Sequence, residues 1–150
     1  MKILLASSNK NKALELNQII PGHNIILPQQ IGINFDFEEN GTTFLDNALG
    51  KAKALFSQVK IPVIADDSGL CVPALGGEPG VYSARYGSDG NAKLTDADRN
   101  IFLLKKMEGL TQRSDRKAFF VCSIVLVLDC YRFYVCQETI EGEITFEPRG

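Results

Sequence analysis

The chain contains no tryptophan, a single histidine and no apolar run that approaches the roughly twenty residues of a membrane span. No transmembrane helix is therefore expected, and no membrane partner. Met1-Lys2-Ile3-Leu4-Leu5-Ala6 is too short an apolar opening for a signal peptide and runs straight into polar residues. A basic surplus is also missing: 16 Lys and Arg stand against 18 Asp and Glu, for a net charge of -2. Without a Lys/Arg-rich block there is no electrostatic case for nucleic-acid binding. Cysteine is sparse and unpatterned. Cys71, Cys122, Cys130 and Cys136 form no CxxC pair and no zinc-like spacing, and Cys122 lies in an apolar run where it reads as a small hydrophobe. Together these absences point to a reducing cytoplasm. Phosphate loops of the common kinds are absent too, since there is neither GxxxxGK[ST] nor a GxGxxG opening a helix. The lone His23 lies between two strand candidates and reads as a surface or turn residue, not a catalytic one. Repeats, linkers and low-complexity segments are not found.

What is present suits one globular domain of ordinary size. The 150 residues are 45% apolar and 23% charged, enough to bury a proper core. Ile3-Leu4-Leu5-Ala6 has the continuous apolar pattern of a strand covered on both faces. Ala13, Leu14, Leu16, Ile19 and Ile20 then recur at near-helical spacing, with Ser8 or Asn9 as N-cap and Pro21-Gly22 as the stop. The turn Ser7-Ser8-Asn9-Lys10-Asn11-Lys12 sets hydroxyls, amides and two lysines at the positive end of a helix, a natural anion site. Simple capping, with the lysines in solvent, is the plainer reading.

Asn24 to Pro28 is a short strand candidate, and Gly32 to Phe37 an edge-strand candidate leading into the acidic turn Glu38-Glu39-Asn40-Gly41. Thr43 opens a helix in which Asp46 resembles a capping-box partner. Phe44, Leu45, Ala48, Leu49, Ala52, Leu55 and Phe56 form its apolar face. Lys51 and Lys53 fall on different sides of it, so at most one can face Glu39. After Leu70 the glycine-rich stretch Gly76 to Gly87 forms a loop with special backbone demands. Thr95 to Glu108 reads as a helix with Ile101, Leu104 and Met107 along its apolar side. Lys117 to Leu128 and Phe133 to Thr139 read as a hairpin turned at Asp129-Cys130-Tyr131-Arg132, and Ile144-Thr145-Phe146 as a short final strand.

The chemistry gathers at Pro62-Val63-Ile64-Ala65-Asp66-Asp67-Ser68-Gly69-Leu70, an apolar run that reads as a buried strand ending in two carboxylates. Buried carboxylates are costly unless paired, hydrogen-bonded or bound to metal. In an open α/β sheet, ligands bind at the carboxyl ends of strands. A solvated acidic turn is the alternative. With Glu38-Glu39 and the Ser7–Lys12 turn, three polar clusters adjoin strands. Hard oxygen ligands of this kind suit magnesium, and Lys12 and Lys51 could supply point charges for phosphate. That set favours displacement at phosphorus, with a carboxylate taking a proton from water.

At these residues the sequence resembles the inosine triphosphate pyrophosphatase family, also called Ham1-like. The matching motifs are Ser7-x-Asn9-x-x-Lys12; Glu39-Asn40-Gly41-x-Thr43-Phe44 with Asn47-Ala48 and Lys51-Ala52; Ile64 to Leu70; and Leu75-Gly76-Gly77-x-Pro79-Gly80-Val81-Tyr82-Ser83-Ala84-Arg85-Tyr86. In order and together they are specific, and they span nearly the whole chain. The resemblance implies an α/β fold, a long twisted mixed sheet flanked by helices in two lobes with substrate between them. It implies hydrolysis of ITP, dITP and XTP to monophosphate and pyrophosphate, with Mg2+, by a homodimer. Carried over, Ser7, Ser8, Asn9, Lys10, Asn11 and Lys12 would bind the triphosphate, and Glu39 and Asp67 would hold the metal. Asp67 would also accept the proton of the attacking water, and Lys51, Ser68 and Arg85 would contact substrate. The acidic pair is then divided, with Asp66 left as structural support. Family members go on to a Gly-Phe-Gly-Tyr-Asp segment and a later Ser-His-Arg segment that hold the base. Neither occurs before Gly150, so the chain is expected to be one pyrophosphatase domain incomplete at its C-terminus, intact on its phosphate side and open on its base side. The competing expectations are a catalytically impaired nucleotide-binding protein and a Maf-like nucleotide pyrophosphatase.

Overall fold

Strand β1 (Lys2–Leu5) pairs in parallel with β2 (Asn24–Ile26) on one side and with β3 (Val63–Cys71) on the other in the computed structural model, which describes residues 1–88 and 94–149. Two further strands, β4 (Lys117–Val127) and β5 (Phe133–Glu143), complete a five-stranded sheet of order β2-β1-β3-β4-β5. Only five residues separate β4 from β5, and Leu128 N–H donates to the Arg132 carbonyl, so these two form an antiparallel hairpin and the sheet is mixed. Helices α1 (Lys10–Ile19), α2 (Phe44–Val59) and α3 (Asp96–Lys106) flank it. The chain folds as two compact units, Met1–Asp67 with Ser123–Gln137, and Ser68–Cys122 with Glu138–Gly150.

In the first unit the period-two alternation of the strands divides the core in two. Leu4 of β1 and Ala6 just after it, Val63 and Ala65 of β3, and Val125 and Val127 of β4 pack with Ala48, Ala52, Leu55 and Phe56 of α2. Ile3, Leu5, Ile25, Leu27 and Ile64 face the other way and pack with Ala13 of α1. The inward residues of α2 recur at the three- and four-residue spacing of an amphipathic helix. Its ends are defined: Thr43 Oγ1 accepts the Asp46 N–H at 3.0 Å, and Lys60 closes the last turn in the left-handed region at φ 54. The Asp46 carboxylate turns to the Thr42 hydroxyl, 3.5 Å away, so the expected box is built from its Thr43 half. In the second unit Val72, Leu103, Met107 and Ala118 form a separate core with Leu70, Leu75, Tyr86, Leu110 and Ile144 against it.

Four sequence readings are corrected. First, β3 does not end at the acidic pair; Asp66 and Asp67 lie within it, and it runs to Cys71. Second, Gly32 to Phe37 is not a strand. Pro28–Ile31 forms a short 3-10 turn, and the segment after it has no regular structure, with Ile33 and Phe35 packed on the α2 core. Phe37 fits beside Gly50, where an added Cβ would stand 2.8 Å from the ring. The alternation was a packing pattern without a strand partner. Third, Ile144-Thr145-Phe146 is not a strand either, because the buried Arg116 guanidinium takes the Ile144 and Thr145 carbonyls, at 2.9 Å each. Fourth, Ile101 of α3 faces outward, and Leu103 with Met107 fills the core instead. His23 is exposed in a turn, as expected.

Candidate active site

Alternation along β3 settles where the two carboxylates go. Ile64 points to the α1 side of the sheet, and so does Asp66, two residues on. There the ammonium of Lys12, from the first turns of α1, meets its Oδ2 at 2.5 Å. Ala65 points to the α2 side, and so does Asp67, where the Nδ2 of Asn47 donates to its Oδ2 at 3.0 Å. Asp67 is 8% exposed, so its charge is held away from most solvent and depends on such donors. The pair is thus divided between two helices, each of which supplies a partner.

A third helical side chain links the acidic strand to the loop before α2. Lys51, one turn beyond Asn47, donates to the Asp66 carbonyl at 2.9 Å and forms an ion pair with the Glu39 carboxylate. Lys53 lies elsewhere, over the ring of Phe133. The division of the two lysines expected from helical spacing is what the structure has. Beside this ion pair opens a cleft of about 200 Å³ lined by Ala6, Ser7, Ser8, Phe35, Asp36, Phe37, Glu39 and Lys51. Hydroxyls from the β1–α1 turn therefore face the Glu39 loop across a small polar space.

The β1–α1 turn is both a cap and part of this site. Asn9 Oδ1 accepts the N–H groups of Asn11 at 2.9 Å and Lys12 at 3.4 Å, and Ser7 Oγ accepts the Asn9 N–H at 3.1 Å. The N-terminal donors of α1 are thereby partly spent on capping. Lys12 is drawn in to Asp66, whereas Lys10 and Asn11 are exposed. Ser68, half-buried in β3, and Arg85, exposed with its guanidinium 5.1 Å from the Tyr82 ring, belong to the second unit. The glycine-rich stretch is pinned within that unit. Gly76, Gly77 and Gly80 adopt positive φ, and Ser83 Oγ accepts the Leu70 N–H at 2.9 Å. Glu78 Oε2 accepts from Lys106 at 2.7 Å and from the Tyr86 hydroxyl at 2.6 Å. The Lys106 hydrogen bond, then that of Tyr86, holds the Glu78 carboxyl below its usual range, while burial and the bond to Glu78 push the Tyr86 hydroxyl above its own.

Two residues of the site were not singled out from sequence. Asn47 stands in one of the motifs, and nothing local marks a helical asparagine as the partner of an acid 20 positions on. Asp36 lines the cleft, but its alternating neighbours read as an edge strand. Chemically, carboxylates from a strand and a loop, two ammonium groups and paired hydroxyls can hold a polyanion with a hard cation.

A sequence model of the Ham1 family matches residues 3–150. The dITP/XTP pyrophosphatase of Treponema denticola is 52% identical over 151 residues, covering all of this chain and 76% of that protein. The dITP/XTP pyrophosphatase of Treponema pallidum is 45% identical over 150 residues; the chain spans 54% of its length. Among solved structures, the Ham1 protein of Staphylococcus aureus superposes with a TM-score of 0.88 at 39% identity, over all of this chain and 75% of that one.

Proposed function

The chain belongs to the Ham1 family, and from that premise we propose that it hydrolyses non-standard purine nucleoside triphosphates (ITP, dITP and XTP) to the monophosphate and pyrophosphate, removing them from the nucleotide pool. Residues 1–150 act in this reading as one pyrophosphatase domain, cytoplasmic and homodimeric. The observation that carries it is the gathering of Lys12, Lys51, Asn47 and Glu39 around the Asp66-Asp67 pair of β3. The names of the Treponema relatives support the substrate class.

The roles are those that the family resemblance implies. Ser7, Ser8, Asn9, Lys10, Asn11 and Lys12 bind the triphosphate with Lys51. Each ammonium has three donors, so Lys12 and Lys51 keep N–H groups for phosphate oxygens while engaged with Asp66 and Glu39. Glu39 and Asp67 are the ligands for Mg2+, and their hard carboxylate oxygens fit it. Among the described residues no three His, Cys, Asp or Glu side chains gather into a ready-made cage, so the rest of the shell would come from water and phosphate. Bound magnesium would neutralise charge on the triphosphate. Asp67 takes the proton of the water that attacks the α-phosphorus; the new P–O bond forms as the α–β anhydride breaks and pyrophosphate leaves. Asp66 tethers Lys12. Ser68 and Arg85 contact substrate.

The test is pyrophosphate release from ITP, dITP and XTP with and without Mg2+. Turnover is expected only with metal. Asp67→Asn should lower it by about 10²–10⁴-fold, the usual contribution of a positioned proton acceptor, with the circular dichroism unchanged. Glu39→Gln should raise the Mg2+ concentration needed for half-maximal rate. Nucleotide binding by calorimetry without any turnover would replace the enzyme with a nucleotide-binding protein. Light scattering at twice the chain mass checks the dimer.

A further inference from the structure

We propose that Asn47 is a positioning residue that ties the Glu39 loop to the Asp67 carboxylate, so that the two move as one unit; this rests on the pyrophosphatase reading above. Asn47 lies in the first turn of α2 and is 1% exposed. Both ends of its amide are used. Nδ2 donates to Asp67 Oδ2 at 3.0 Å, and Oδ1 accepts the Gly41 N–H at 2.8 Å. The chemistry allows no other arrangement, since a carboxylate accepts and a backbone N–H donates. One amide therefore joins β3 to the loop 38–43, only two residues from Glu39.

Gly41 supports the same assignment from the other side. A Cβ there would stand 2.6 Å from Asn47 Oδ1 and 2.8 Å from Asp46 Cβ. The close approach of the loop to the Asn47 carbonyl is thus possible because position 41 has no side chain. A purely packing role is a poor account of this residue. Its neighbours on the inner face of α2 are Ala48, Ala52, Leu55 and Phe56, and a buried amide among them is costly unless both of its ends are met. Here both are met, and by the loop and the strand that carry the two proposed metal ligands. Removing such a support changes the orientation of the ligands without removing a ligand. The expected cost in metal affinity or activity is about 10–100-fold.

Two variants test this independently. Asn47→Ala deletes the amide, and Gly41→Ala pushes the loop off it while leaving Asn47 and Asp67 in place. Each should weaken Mn2+ binding to the nucleotide-free protein, measured by calorimetry, by about tenfold or more. Each should lower kcat for dITP with KM nearly unchanged. Because they break one link, Asn47→Ala/Gly41→Ala should be no worse than the more severe single variant. Asn17→Ala is the matched control. Asn17 makes a similar tie, from Asn17 Nδ2 to the Ala13 and Ile25 carbonyls and from the Ile25 N–H to its Oδ1, away from Asp67. It should lower the melting temperature and leave Mn2+ affinity intact.

The proposal is overturned if the Asn47 and Gly41 variants bind Mn2+ like Asn17→Ala, or if their effects add. Should Asn47→Ala fail to fold, Gly41→Ala and its Mn2+ affinity decide the matter alone. A wild-type chain that binds Mn2+ but releases no pyrophosphate overturns the pyrophosphatase reading, and the calorimetry still decides the coupling.

Discussion

Arg116 shows how much structure a single side chain can hold. It is 3% exposed, and its guanidinium donates to four backbone carbonyls, those of Met107, Leu110, Ile144 and Thr145, with the Phe146 ring 4.4 Å away. A planar fork with five donors can meet that many acceptors at once; an ammonium cannot. Arg116→Met should destabilise the fold by about 3 kcal/mol, since it strands carbonyls that the core has already desolvated. Arg116→Lys should recover only part of that. Urea midpoints at constant m-value give the measurement, and a midpoint unchanged in Arg116→Met would show that water or the backbone satisfies those carbonyls instead. Asp67 and Asn47 follow the same rule: a buried polar group is maintained by the partners that meet it.

At the scale of elements, α2 does most to build the site. Its N-terminal half presents Asn47 and Lys51 to β3, its inner face packs the core, and its C-cap turns the chain into β3. That cap is the one non-glycine residue with positive φ among those described, Lys60 at 54. A left-handed conformation costs an ordinary residue about 1–2 kcal/mol, a cost glycine escapes. Lys60→Gly should therefore raise the melting temperature by roughly 2–4 °C, less whatever the contact of Lys60 with the Phe56 ring contributes. A lower melting temperature would mean that this contact outweighs the backbone strain. Calorimetric scans of the two proteins decide it.

For the whole molecule, the sheet order sets a gradient of protection. β1 lies between β2 and β3, and its Leu4 and Leu5 are fully buried, whereas β5 is the terminal strand and exposed along its whole length. Local opening needs little free energy where few apolar contacts are lost. Hydrogen exchange should accordingly be slowest in β1 and the first half of β3 and fastest in β5. Exchange of β5 at the rate of β1 would show that its edge is covered in solution. Among the described residues no helix is long and apolar enough to cross a membrane.

The sequence by itself determined what depends on near neighbours. The cap Thr43, the narrowing of the α1 cap to Ser8 or Asn9, the hairpin turn at Asp129 to Arg132, and the inner face of α2 were all legible, because capping and helical periodicity act over a few residues. So was the family resemblance, since its motifs lie in order along the chain. Only the tertiary structure decided which extended segments became strands and which acid met which partner. Gly32 to Phe37 alternates like a strand but finds no backbone neighbour, and the Ile144 to Phe146 segment gives two of its carbonyls to Arg116. Asp66 and Asp67 are adjacent in sequence and on opposite faces of the sheet, one reached by Lys12 from 54 positions away and the other by Asn47 from 20. The strand alternation separates the two carboxylates. Their partners are a matter of how the helices pack, which no local pattern encodes.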